Sequence, residues 1–256
     1  MSYKLLIRLG FLPLLVLSLF SCSDKTEEFQ TEPLEDYTIT LEPGKYITYR
    51  VDSTIATNFG LDIEVRSWQI KHQVDALITD NLDRPSYRIL KFRRNADGTG
   101  NWEANGTYMV TVLPDRVESI EDNLRIMKLH APIREGYTWK GNKYLHLDPY
   151  ASFGYSFSLY DYMNWDFYYQ APEASFSYEG ETYEDVYTVE QEDFSENFPV
   201  VIPEAPGSKY RAREKFAKNT GMVFREYFLM EYEPNTSGPN PYYTGFGVTM
   251  WMIDHN

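Results

Sequence analysis

The chain has 256 residues, with 24 Lys and Arg against 38 Asp and Glu, a net charge of −14. That excess of carboxylates argues against a nucleic-acid partner, whose binding draws on Lys and Arg neutralising phosphates, and it opposes adsorption to an anionic membrane surface. The single cysteine, Cys22, excludes a disulfide framework and a multi-cysteine zinc site, so stability has to come from a hydrophobic core.

In chain order, the first element is a leader. Lys4 and Arg8 precede an apolar run from Leu9 to Phe20, which Pro13 interrupts. A membrane-spanning helix needs about 20 apolar residues. This run is shorter, and it ends on the small residue Ser21, the pattern of a secretory signal. Leu19 to Cys22 resembles the bacterial lipobox, in which the leader (residues 1–21) is cut just before a cysteine. The resemblance implies lipid attachment, palmitate among the acyl groups, on Cys22. Losing the leader removes Lys4 and Arg8 and leaves the mature chain near −16. Residues 22–36 are polar and acidic and read as a flexible tether. Their acidic start resembles the surface-export signal of Bacteroidetes lipoproteins. An outer-membrane lipoprotein is expected, with the cell surface favoured over a periplasm-facing position.

Residues 37–256 read as one all-β domain with minor α content. Twenty-two Tyr, fifteen Phe and five Trp favour strands, and ~235 mature residues can bury about 70% of their unfolded surface. Strands are expected over 37–42 and 46–52, the first ending at the Pro43-Gly44 turn. Residues 61–79 form a long strand with a bulge, in which Val65 and Trp68 to Ile70 pack while Arg66, Lys71 and His72 face polar surroundings. Further strands follow at 86–93, 102–113, 116–121 and 124–129, the last two joined by Asp122-Asn123. The segment 137–170 is dense in aromatic residues, with a short helix around 159–165. Beyond it, strands are expected at 182–192, 210–217, 222–232 and 246–253. A helix through 213–219 is the alternative to the hairpin at Lys218 to Gly221.

Pro43 to Ser53, Pro132 to Asn142 and Lys215 to Glu226 together resemble a recurrent group of uncharacterised Bacteroidetes lipoproteins. Asn219 stands where that group has Gly, and Met222 where it has Leu. The resemblance implies an antiparallel, strongly curved open sheet or half-barrel, and it brings no catalytic residues with it. Asp52-Ser53-Thr54 matches the three-residue O-glycosylation pattern of exported Bacteroidetes proteins, which makes Ser53 a candidate attachment site.

No constellation in the domain specifies catalysis, a metal or a cofactor. His146 and Asp148 would share one face of an extended segment, but no third ligand accompanies them. Asp80, Asn81 and Asp83 lack EF-hand spacing and read as a turn. No Gly-x-Ser-x-Gly elbow or phosphate loop occurs. Asp161, Asp166 and Glu173 are the carboxylates to consider for an acid–base hydrolase. Trp139, Tyr155, Tyr162, Trp165 and Tyr168 are the aromatic candidates for ligand contact. The expectation is a membrane-anchored lipoprotein with a non-enzymatic binding or envelope-structural domain. The alternative is a carrier or receptor for a glycan or lipid at the aromatic segment, and a hydrolase ranks third. An envelope-protein partner is the remaining option. A continuous apolar cavity opening past Tyr155, Tyr162 and Trp165 would favour the carrier.

Overall fold

The computed structural model describes residues 32–151, 154–155, 162–234, 238 and 240–256. Thirteen strands form one antiparallel sheet: β1 Tyr46–Thr57, β2 Asp62–Thr79, β3 Pro85–Asn95, β4 Glu103–Val112, β5 Arg116–Glu121, β6 Leu124–His130, β7 Thr138–Trp139, β8 Phe167–Tyr169, β9 Glu173–Tyr178, β10 Glu181–Glu196, β11 Gly207–Ala217, β12 Gly221–Glu233 and β13 Tyr242–His255. The spatial order is β6-β5-β4-β3-β2-β1-β13-β12-β11-β10-β8-β7, with β9 paired to β10 outside this path. The chain thus meanders from β1 to β6, and the second half returns to close β13 on β1.

The sheet curls into a nearly closed barrel, further round than a half-barrel. Its two edges meet where the Met127 amide donates to the Gly141 carbonyl (2.9 Å) and the Trp139 indole N–H donates to the Met127 carbonyl (3.0 Å). Trp139 packs on Tyr169 (4.8 Å between ring centroids) and edge-on to Phe167 (5.9 Å). Gly141 is required by contact: a Cβ there would lie 2.3 Å from the Phe167 ring. Register shifts supply the curvature, including one in β2 between Val74 and Ala76, the bulge expected from the imperfect alternation of residues 61–79.

Several expectations are corrected. Residues 37–42 are not a strand. Leu34–Tyr37 form a 3-10 turn, with Leu34 and Tyr37 buried. Tyr37 donates to Glu32 (2.6 Å) and meets Tyr187 edge-on, and the Asn219 amide donates to the Asp36 carbonyl (2.6 Å). The described end of the acidic tether is therefore packed against the turn between β11 and β12. The hairpin expected at Lys218 to Gly221 forms, and residues 213–219, for which a helix was the alternative, belong to β11 and its turn. Of the helix around 159–165, the described residues show a 3-10 turn at Tyr162–Asn164. β9 was not anticipated. It lies over β12 and β13, with Tyr178 stacked on Trp251 (5.3 Å) and Phe176 against Phe224 (5.8 Å). Among the described residues no helix is long and apolar enough to cross a membrane.

Candidate functional site

Strand alternation sends one row of side chains from each strand into the barrel. On β1 the inward row is Tyr49, Val51, Ser53 and Ile55; on β2 it is Trp68, Ile70 and His72; on β13 it is Phe246, Val248 and Met250. These rows do not fill the interior. A cavity of about 490 Å³ runs between them, bounded by the apolar walls of β1, β2 and β13 and by Leu124 and Ile126 of β6. Tyr150 and Tyr155 form a further wall. Tyr150 shares a hydrogen bond with Tyr227 (2.5 Å between the hydroxyls) and packs edge-on to Phe246 (5.4 Å); Tyr155 lies 5.1 Å from Phe246. Pockets of roughly 300–1,000 Å³ with apolar walls and a few polar groups are the usual form of a small-molecule site.

The inner limit of the cavity is polar. Lys91 of β3 pairs with Glu121 of β5. Glu214 of β11 accepts from Lys128 of β6 (2.9 Å) and from Arg225 Nε of β12 (2.6 Å), and its other oxygen accepts from Gln191 (3.1 Å). Lys128, Glu214 and Arg225 thereby link three strands of the barrel. On the other side of this layer a smaller cavity of about 80 Å³ reaches Tyr37, Thr38 and Ile39. His72, Ser119, Glu121, Lys128 and Arg225 border both spaces.

Burial and charge set the ionisation of this layer. Burial pushes the Glu214 carboxyl up, but Lys128 and Arg225 outweigh it and hold the group at about 2. Burial also raises Glu121, and Lys91 and Arg225 reverse this, so it too lies below the usual carboxylate range. Burial disfavours the Arg225 charge, yet Glu214 and Glu121 raise its pKa above the ordinary value. Burial lowers the Lys128 ammonium against the pull of Glu214. His72, 6% exposed, is driven down to about 3 by burial and is neutral near pH 7. Its Nδ1 lies 3.1 Å from the Tyr108 hydroxyl, and the neutral ring accepts that hydrogen bond. Tyr49 meets the same ring edge-on at 5.0 Å and donates to the Met222 carbonyl (2.9 Å). His72 was expected on a polar strand face. The Val74 bulge and the inward row of β2 bury it instead, while Val65, expected to pack, is 60% exposed.

Of the aromatic candidates, Tyr155 lines the cavity. Trp139 is buried at the barrel seam. Tyr162 and Trp165 are buried behind the wall, packed on Tyr150 (5.4 Å) and Tyr227 (6.3 Å) respectively. Tyr168 is 38% exposed, between the buried Phe167 and Tyr169. Ser53 lines the cavity, so its hydroxyl is turned into the barrel rather than to the outer surface. Cys22 and Asp161 lie outside the described residues. Asp166 pairs with Lys140 (2.8 Å), and Glu173 pairs with Lys215 and accepts from Thr188. Asp80 serves its own turn: it accepts from the Leu82 and Arg84 amides and from the Arg84 guanidinium. His146 is exposed, and no group of three or more His, Cys, Asp or Glu among the described residues could hold a metal ion.

Sequence reasoning missed Lys91, Glu121, Lys128, Glu214 and Arg225. A signal was present. Lys128 follows Leu124 and Ile126 at two-residue spacing, and Arg225 precedes Tyr227 and Leu229 in the same way. Charged residues in phase with an apolar row mark a polar layer in a barrel interior. Which rows face one another is decided only by pairing. No family model, no characterised protein and no solved structure matches the chain.

Proposed function

We propose that this chain is a lipoprotein, held to the outer membrane through Cys22, whose barrel carries a small amphiphilic ligand. The cavity of about 490 Å³ is the observation that carries this reading. A domain valued only as an envelope scaffold would have no need of an unfilled interior, since close packing stabilises a core. The ion pairs at its inner limit support binding rather than hydrolysis. Glu121 and Glu214 are each committed to cations and held ionised, so neither of the two is poised to give a proton near pH 7. The cell surface is the favoured side of the membrane.

Two measurements test the proposal. A neutral fluorescent probe, N-phenyl-1-naphthylamine, should bind with a blue shift, and Val248→Trp, which places an indole in the cavity, should abolish that binding while preserving the fold. Equal binding by the variant would refute the carrier reading. Metabolic labelling with palmitate should mark the wild-type chain and not Cys22→Ala; a labelled, membrane-bound variant would refute the anchor.

A further inference from the structure

We infer that the barrel cavity takes amphiphiles bearing a single acidic head group, a carboxylate or similar monoanion, with the head against Lys128 and Arg225 and the apolar body toward Ile55 and Phe246. This rests on the carrier reading and adds the chemistry of the ligand.

Three observations carry it. First, the inner layer holds three cations, Lys91, Lys128 and Arg225, against two carboxylates, Glu121 and Glu214. Both carboxylates are already engaged, Glu121 by Lys91 and Glu214 by the other two cations. Among the described residues one positive charge is left without a counter-charge, on side chains that are 13–21% exposed, and an anion supplied by a ligand offsets that cost. The other charged groups on the described lining are Arg93 and Asp122, one of each sign. His72 contributes no charge near pH 7. The excess matches a monoanion, and it is opposite in sign to the chain as a whole.

Second, the cations have donors to spare. Lys128 gives one of its three N–H bonds to Glu214. Arg225 spends Nε on Glu214, and the acceptor for its terminal nitrogens among the described residues is the thioether of Met250 (3.8 Å), a weak one. A guanidinium so placed can bind a carboxylate with two N–H bonds.

Third, head and tail positions are separated along the barrel. The cationic layer borders the cavity at its inner limit, where it also borders the smaller cavity behind it. From there toward the β1–β2 turn the walls are mainly apolar, Val51, Ile55, Ile70, Phe246 and Val248, with Ser53 and Arg93, the latter paired with Ile70, as polar members. A ligand with its charge at one end and an apolar body fits this arrangement. A glycan, with hydroxyls along its whole length, would leave most of them facing hydrocarbon.

The test uses the full chain with Cys22→Ala, so that no acyl group competes. The probes are 11-(dansylamino)undecanoic acid, its methyl ester and the corresponding alkyl trimethylammonium compound, titrated by dansyl fluorescence. The acid should bind about tenfold or more tighter than the ester, the worth of one charge-assisted hydrogen bond. The trimethylammonium compound should bind weakest. Lys128→Met should narrow the preference for acid over ester, the part that remains being due to Arg225, and Lys128→Arg should restore it. The comparison on the parent chain needs no variant to fold. Equal affinity for acid and ester, or tightest binding of the cation, would overturn the acidic-head inference and leave the carrier reading standing. Absence of binding by all three probes would overturn both.

Discussion

His72 makes the fold sensitive to mild acid. The unfolded chain protonates this residue near 6.5, whereas in the barrel burial delays protonation to about 3. Between those values the unfolded state holds one more proton than the folded state. Stability is therefore complete above pH 6.5 and falls as the pH drops through the window. Near pH 7 the penalty is negligible. At pH 5 the unfolded state gains a factor of about 30, so the step from pH 7 to pH 5 should cost about 2 kcal/mol through this residue. Carboxylates of the unfolded chain titrate lower, near pH 4, so few other groups interfere in this window. Burial raises Glu231, whose effect has the opposite sign. Subtracting a variant removes it. The assay is urea unfolding at pH 7 and pH 5 of the parent and of His72→Gln, whose amide oxygen can still accept from Tyr108. The parent should lose about 2 kcal/mol more than the variant over this step. Identical pH dependence in the two proteins would refute the placement of His72 as a buried neutral ring.

Three other perturbations test the framework. Glu214→Gln leaves Lys128 and Arg225 without their shared anion and should cost about 3–5 kcal/mol by chemical denaturation at pH 7, against less than about 1 kcal/mol if the layer is freely hydrated. Gly141→Ala drives a methyl group into the Phe167 ring at the seam. It should destabilise by about 1–3 kcal/mol and speed hydrogen exchange of the Met127 amide, and an unchanged Met127 amide would show that the barrel does not close there. Tyr37→Ala removes a ring that is 1% exposed and should lower stability by about 3–5 kcal/mol, whereas a residue at the foot of a free tether would cost almost nothing in a thermal melt.

Local chemistry made much of the fold legible. Two-residue alternation and turn residues located most strands to within a few positions, including β5 and β6 about Asp122-Asn123 and the β11–β12 hairpin. These succeeded because pleat and turn geometry depend on neighbours in sequence. Residues 37–42 failed for the opposite reason. Their alternation is strand-like, but Tyr37 is drawn into the core by contacts with Tyr187 and the β11–β12 turn, which overrides it.

The candidate site was barely legible. The aromatic segment stood out by composition, yet most of its described rings pack the seam and the back of a wall, and Tyr155 is the one of the five candidates that reaches the cavity. The residues that give the cavity its chemistry come from separate strands: His72, Lys91, Glu121, Lys128, Glu214 and Arg225 span more than half the chain. By itself the sequence determined an acidic, cysteine-poor, antiparallel β domain, because charge, thiol count and strand period are properties of the linear chain. Tertiary structure alone decided that the sheet closes on itself at Met127 and Gly141, that its inward rows leave a cavity, and that three cations meet two carboxylates at its inner limit. Those follow from strand order and register, which bring residues distant in sequence to within hydrogen-bonding reach and which no local pattern encodes.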